Sequence, residues 1–157
     1  MSRNGITMAR RVNSGPEDCN CLAVRQAARH ITQFYDQFLA PSGLRTTQFS
    51  ILAKLRRLGP MTINALAAEM VMDRTTLGRN ILPLERDGLI AVEQGSRDRR
   101  SKELRVTAAG EARFRAGTKG WMQAQRHFEK AFGAKRTADM RALLHAVAAT
   151  NLGPTAG

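Results

Sequence analysis

Between residues 46 and 88 the helix start and stop signals of this chain stand so close together that only short helices fit between them. Thr46 or Thr47 can cap a helix whose apolar residues Phe49, Ile51, Leu52, Leu55 and Leu58 recur at helical spacing, and Gly59-Pro60 stops it. Thr62 caps the next segment, with Ile63, Leu66, Ala67 and Met70 facing inward. Only Val71 and Met72 follow before a new N-cap, Asp73, opens a third segment. That segment carries Leu77, Ile81, Leu82 and Leu84 inward and ends at Gly88. Two short helices joined by a tight turn are the result.

The period then changes. Leu89 to Gln94 is β-prone, Gly95-Ser96 is a turn signal, and Leu104-Arg105-Val106 alternates inward and outward, which reads as a β-hairpin. Its tip, Arg97-Asp98-Arg99-Arg100-Ser101-Lys102, holds four cations against one acid. Helix, helix, tight turn, helix, hairpin in that order is a winged helix-turn-helix, so the expected fold is mainly α with a small β-hairpin.

Longer helices flank this lobe. Val24, Ala27, Ala28, Ile31, Phe34, Tyr35 and Phe38 recur at steps of three and four, up to a stop at Pro41 and Gly43. A helix of about 20 residues is about 30 Å long, more than a small domain needs, and a partner helix is one candidate for what it packs against. Thr107 caps a long helix with Phe114, Trp121, Met122, Phe128 and Phe132. Gly110, Gly117 and Gly120 each weaken it by about 1 kcal/mol relative to Ala, so a kink is expected near residues 117–120. Thr137 or Asp139 opens a last helix with Met140, Leu143, Leu144 and Val147 inward. The expected organisation is a flexible leader (1–18), one domain (19–151) with a DNA-binding lobe at about 46–106 between flanking helices at about 19–40 and 107–151, and a tail (152–157).

Charge narrows the class of partner. Twenty-five Lys and Arg against 13 Asp and Glu give +12, which favours anionic partners but does not choose among nucleic acids and membrane surfaces. Placement does choose. The major groove is about 12 Å wide and admits one helix, whose leading end then needs short polar and cationic side chains. Asp73-Arg-Thr-Thr-Leu-Gly-Arg-Asn80 supplies them. Arg74 and Arg79 can reach guanine or phosphate, Asn80 can pair with adenine, and Thr75 and Thr76 can hold phosphates near the helix N-terminus. Arg97, Arg99, Arg100 and Lys102 at the hairpin tip repel one another without a polyanion, and Asp98 is expected to orient Arg100 through an ion pair.

Several classes are set aside. No stretch reaches the ~18 apolar residues of a membrane span, and Cys19 and Cys21 are too close in sequence to staple a fold, so a cytoplasmic protein is expected. His30, His127 and His145 are scattered, and no nucleophile elbow, phosphate-binding glycine loop or fitting carboxylate pair is present. The expectation is no metal, no cofactor and no enzyme activity.

Met72-Asp-Arg-Thr-Thr-Leu-Gly-Arg-Asn-Ile-Leu-Pro-Leu-Glu-Arg-Asp-Gly-Leu-Ile90, Asp98-Arg-Arg100 and Val106-Thr-Ala-Ala-Gly110 together resemble the multiple-antibiotic-resistance (MarR) family of regulators over about residues 20 to 150. The resemblance implies a homodimer with interlocked first and last helices that binds pseudo-palindromic double-stranded DNA and represses until a small-molecule ligand or an oxidant releases it. Arg74, Thr75, Thr76 and Arg79 match the family's recognition helix, and Asp98 and Arg100 match the wing's acid and minor-groove arginine. Val71 stands in a turn where small residues are common, and Pro83 removes one helical hydrogen bond, so a bend is expected there.

The effector stays open. Cys21-Leu-Ala-Val-Arg-Gln-Ala-Ala-Arg29, with Thr32 and Tyr35, is similar to the first helix of the organic-hydroperoxide-sensing branch, whose reactive cysteine falls at Cys21. That branch has a second tyrosine where this chain has Arg25. The alternative is Cys21 as a small hydrophobe buried in the dimer seam, with a ligand as effector. Phe34, Phe38, Phe49 and Ile51 are candidates to line a ligand pocket, although aromatics at this spacing usually form core. A non-specific RNA- or DNA-packing protein would need the charge but no reading heads.

Overall fold

The structure is a computed structural model and describes residues 15–153. Its elements are α1 (Asn20–Leu39), α2 (Thr46–Leu58), β1 (Met61–Thr62), α3 (Ile63–Met70), α4 (Arg74–Arg86), β2 (Ile90–Gln94), β3 (Lys102–Val106), α5 (Ala108–Phe132) and α6 (Ala134–Ala149). Of the expected leader, residues 1–14 lie outside the described residues, while Pro16–Asp18 form one 3-10 turn. The tail is described only as far as Gly153.

The chain divides into two compact units, residues 1–33 and 34–157, with the boundary inside α1. In the first, Cys19 precedes α1 and its Sγ accepts the Leu22 N–H at 3.4 Å. In the second, α2, α3 and α4 pack on an antiparallel sheet of order β1-β3-β2. Leu52, Leu66, Leu77, Leu84 and Ile90 are fully buried there. Truncating any of the leucines to alanine is worth about 2–5 kcal/mol.

The expected hairpin is present, with Ile90 opposite Val106 and Gln94 opposite Lys102. β1 is an addition, pairing Met61 with Leu104 and Thr62 with Glu103. Two residues are too few to show a period of two, and Thr62 also caps α3 by accepting the Ala65 N–H at 3.2 Å.

Several expectations need correction. The N-cap of α2 is Arg45, not Thr46 or Thr47; the Arg45 N–H donates to Gln48 Oε1 at 3.0 Å. Thr46 instead donates both its N–H and its hydroxyl to Asp36 Oδ1, each at 2.7 Å, which places a carboxylate from α1 on the positive end of α2. α6 opens at Ala134 after Gly133, and Thr137 lies buried in its first turn, donating its hydroxyl to Gly133 O at 2.9 Å. Leu82, Leu143, Leu144 and Val147, all expected to face inward, are exposed.

α5 is one continuous helix, and its glycines explain themselves by contact. A Cβ at Gly110 would overlap the Leu89 carbonyl oxygen, one at Gly120 the Phe38 carbonyl oxygen, and one at Gly117 would crowd Phe49 at 3.1 Å. They bring α5 tightly against its neighbours. α4 likewise runs unbroken through Pro83.

Candidate nucleic-acid interface

The tight turn sets the angle of the reading helix. Val71 adopts φ 52°, and the Val71 and Met72 N–H groups bond to Ala68 O and Ala67 O at 3.2 and 2.9 Å, closing α3. Asp73 then starts α4: Oδ1 accepts the Thr76 N–H at 2.8 Å and Oδ2 accepts the Thr76 hydroxyl at 2.6 Å. These bonds, led by the hydroxyl, hold the Asp73 carboxyl below its ordinary pKa.

Arg74, Thr75 and Arg79 stand exposed along the first two turns of α4. Nothing lies within 4 Å of a Cβ placed on Gly78, so the face between them is open. Thr76 is exposed, but its hydroxyl proton goes to Asp73. Asn80 is half-buried, and its Nδ2 donates to Thr76 O at 2.9 Å. The sequence pattern also missed Leu82. It sits three residues beyond Arg79 and is 64% exposed, so the α4 face carries an apolar group able to meet a thymine methyl.

The wing is built around Asp98. Its Oδ1 accepts the Arg100 backbone N–H at 2.9 Å, and its carbonyl accepts both the Ser101 N–H at 3.0 Å and the Ser101 hydroxyl at 2.7 Å. Asp98 therefore braces the backbone of the turn and does not form the expected ion pair with the Arg100 guanidinium. Arg97, Arg99, Arg100 and Lys102 are exposed, and none makes an ion pair among the described residues. Arg105, three residue pairs further from the tip than Lys102, is held by Glu93 at 2.9 Å.

Helix and wing converge. A cleft of about 340 Å³ between α4 and the sheet is lined by Arg74 and Gly78 from the helix and Val92, Lys102 and Leu104 from the strands. One surface thus brings Arg74 of α4 together with Lys102 of the wing.

The redox candidates are placed differently. Cys19 and Cys21 are both exposed in the single chain, so Cys21 is not a buried hydrophobe within it. In the second unit, Tyr35 is buried and its hydroxyl donates to Gln125 Oε1. Burial raises its pKa, Arg141 opposes the shift and Glu129 reinforces it. Of the pocket candidates, Phe49 stacks on Phe114 at 4.6 Å and Ile51 is fully buried, so both are core. Phe34 and Phe38 are half-buried, with ring centroids 5.1 Å apart. No group of three or more His, Cys, Asp or Glu that could hold a metal occurs among the described residues, and none of their helices is long and apolar enough to cross a membrane.

The family model for the MarR family matches residues 44–102, the stretch from the start of the α2 lobe to the wing and every residue named above on α4 and the tip. The M. tuberculosis transcriptional regulator MosR is 35% identical over 85% of this chain and 98% of its own, with a TM-score of 0.72. The chain belongs to the MarR family. MosR has also been solved in complex with DNA, and that structure is similar at 37% identity, covering 86% of this chain and all of that one, again with a TM-score of 0.72. The uncharacterized HTH-type transcriptional regulator YwoH of Bacillus subtilis (strain 168) is 33% identical over 91 residues. That match spans 58% of this MarR-family chain and 66% of YwoH, and matches to further curated relatives span about half of their length, 52%.

Proposed function

We propose that the protein is a homodimeric, DNA-binding transcriptional regulator that occupies a pseudo-palindromic operator in the cytoplasm and represses until a small molecule releases it. The observation that carries this reading is the cleft that brings Arg74 of α4 and Lys102 of the wing onto one surface, with Arg79 exposed further along α4 and Arg97, Arg99 and Arg100 exposed and unpaired at the wing tip. On it, α4 enters the major groove with Arg74, Thr75, Arg79 and Asn80 toward bases and phosphates, while Arg97, Arg99, Arg100 and Lys102 take the backbone or the adjacent minor groove. Thr76 and Asp98 hold the two reading elements in shape. The small-molecule effector is the part of this reading that rests on the family resemblance alone. The reading assigns no catalysis.

Fluorescence anisotropy on duplexes from the region upstream of its gene tests the proposal. A specific duplex should bind at least ~10³ more tightly than a random one, with affinity falling steeply as salt rises. Equal affinity for all duplexes, as a packing protein would show, sinks it. Arg100→Ala should weaken binding to every sequence, whereas Arg79→Ala should cost about 1–3 kcal/mol and also relax base choice.

A second reading, release by thiol oxidation, needs Cys21 accessible, and it is exposed in the single chain. Release of wild type by organic hydroperoxide, abolished in Cys21→Ser, would establish it; release persisting in the variant would exclude it.

A further inference from the structure

Most of the positive charge does not sit in the winged lobe. Residues Thr46 to Val106 hold eleven cations and seven acids, a net of +4 out of +12, whereas residues Ala108 to Thr150 hold eight cations and three acids, a net of +5. DNA reading by α4 and the wing uses none of that second excess. On α5 it is ordered: Arg115, Lys119, Arg126 and Lys130 follow one another at spacings of four, seven and four residues. With 3.6 residues per turn they fall within about 60° of arc, in a stripe about 22 Å long.

All four side chains are exposed in the single chain, and none makes an ion pair among the described residues. The acids flanking the stripe are engaged from other elements: Glu111 is 2.6 Å from Arg56, and Glu129 is 3.9 Å from Arg141. The pairs Arg115/Lys119 and Arg126/Lys130 stand at i,i+4, where like charges repel in an isolated helix. An ordinary solvated face mixes signs. This one does not, while the opposite face of α5 carries Phe114 and Trp121 against the core.

We infer that this stripe is a second phosphate-binding surface, which holds the backbone of double-stranded DNA outside the segment read by α4 and the wing. A duplex offers a phosphate about every 3.4 Å on each strand, so a stripe of this length faces several at once. Other polyanions fit less well. No aromatic residue lies on the stripe to stack single-stranded bases. Its one large apolar group, Met122, 46% exposed, is too little to anchor an amphipathic helix in a lipid surface.

The test is the salt dependence of full-length protein binding a random 40-bp duplex, for wild type and for Arg115→Gln/Lys119→Gln/Arg126→Gln/Lys130→Gln. Four lost phosphate contacts make the slope of log K against log salt shallower by about 3.6, so between 50 and 200 mM salt wild type should lose about 150-fold more affinity than the variant. The milder Lys119→Gln/Lys130→Gln should show about half that change of slope, which keeps the test open if the fourfold variant folds poorly. Unchanged slopes in both variants overturn the inference. So does a difference between wild type and variant that is larger for single-stranded RNA or phosphatidylserine vesicles than for the duplex. Preference for operator over random duplex should survive in both variants; if wild type lacks that preference, the regulator reading fails while the slope difference still stands on its own.

Discussion

Val71 shows how much a single backbone angle matters here. A β-branched residue at φ 52° is strained, and its side chain is 74% exposed, so it gains little packing in return. Val71→Gly should therefore raise stability by about 1 kcal/mol in denaturant unfolding with DNA affinity unchanged, despite the entropy glycine adds to the unfolded chain. Asp73, two residues on, links the same turn to pH. Its folded pKa lies below its unfolded value, so its contribution is fully present above the unfolded pKa near 3.8 and is lost as pH falls through the folded pKa. The stability gap between wild type and Asp73→Asn should be constant at neutral pH and shrink below about pH 4. A gap that widens in acid would contradict the hydrogen bonds drawn to Thr76. Residue types at these positions were legible from the sequence, because caps and cations follow local rules. Orientation was not: whether Asp98 meets a guanidinium or a backbone N–H, and whether Leu82 points in or out, depends on the turn and the sheet around them.

Helices with a strong apolar period were readable to within a few residues, and the hairpin was readable from its turn. What escaped depended on contacts distant in sequence. The end of α2 is held by Asp36 from the preceding helix, and β1 exists only because β3 offers it an edge. The glycines of α5 are the clearest case. Helix propensity alone treats them as weak points, and Gly120→Ala would then stabilise α5 by about 1 kcal/mol. The structure reverses the sign. A methyl group at residue 120 would overlap the Phe38 carbonyl oxygen, which is backbone and cannot rotate away, so α5 must move off α1. Gly120→Ala should destabilise by about 1–3 kcal/mol. Thermal unfolding of this one variant separates the two accounts by direction as well as size.

For the whole molecule, the apolar residues of α6 determine whether one chain suffices. Leu143, Leu144 and Val147 are 68%, 43% and 57% exposed, although their spacing is that of a buried stripe. The sequence pattern announces burial without naming what does the burying, which is why the inward expectation for α6 failed within a single chain. A second copy supplies the missing surface in the dimer proposed above. Fully burying an exposed leucine contributes about 1.5–3 kcal/mol, and Leu143 and Leu144 retain 68% and 43% of their exposure to lose, so the four in a pair contribute about 3–7 kcal/mol. A dimer with micromolar Kd rests on about 8 kcal/mol, so losing these contacts is enough to dissociate it. Leu143→Glu/Leu144→Glu should therefore halve the mass measured by light scattering at micromolar concentration. The winged lobe has its own core, which includes neither residue, so circular dichroism should still report a folded chain. Operator binding should fall toward that of a half-site, since two linked reading heads give way to one. An unchanged mass would mean that α6 faces solvent, and that the two-fold contact must be sought on another helix.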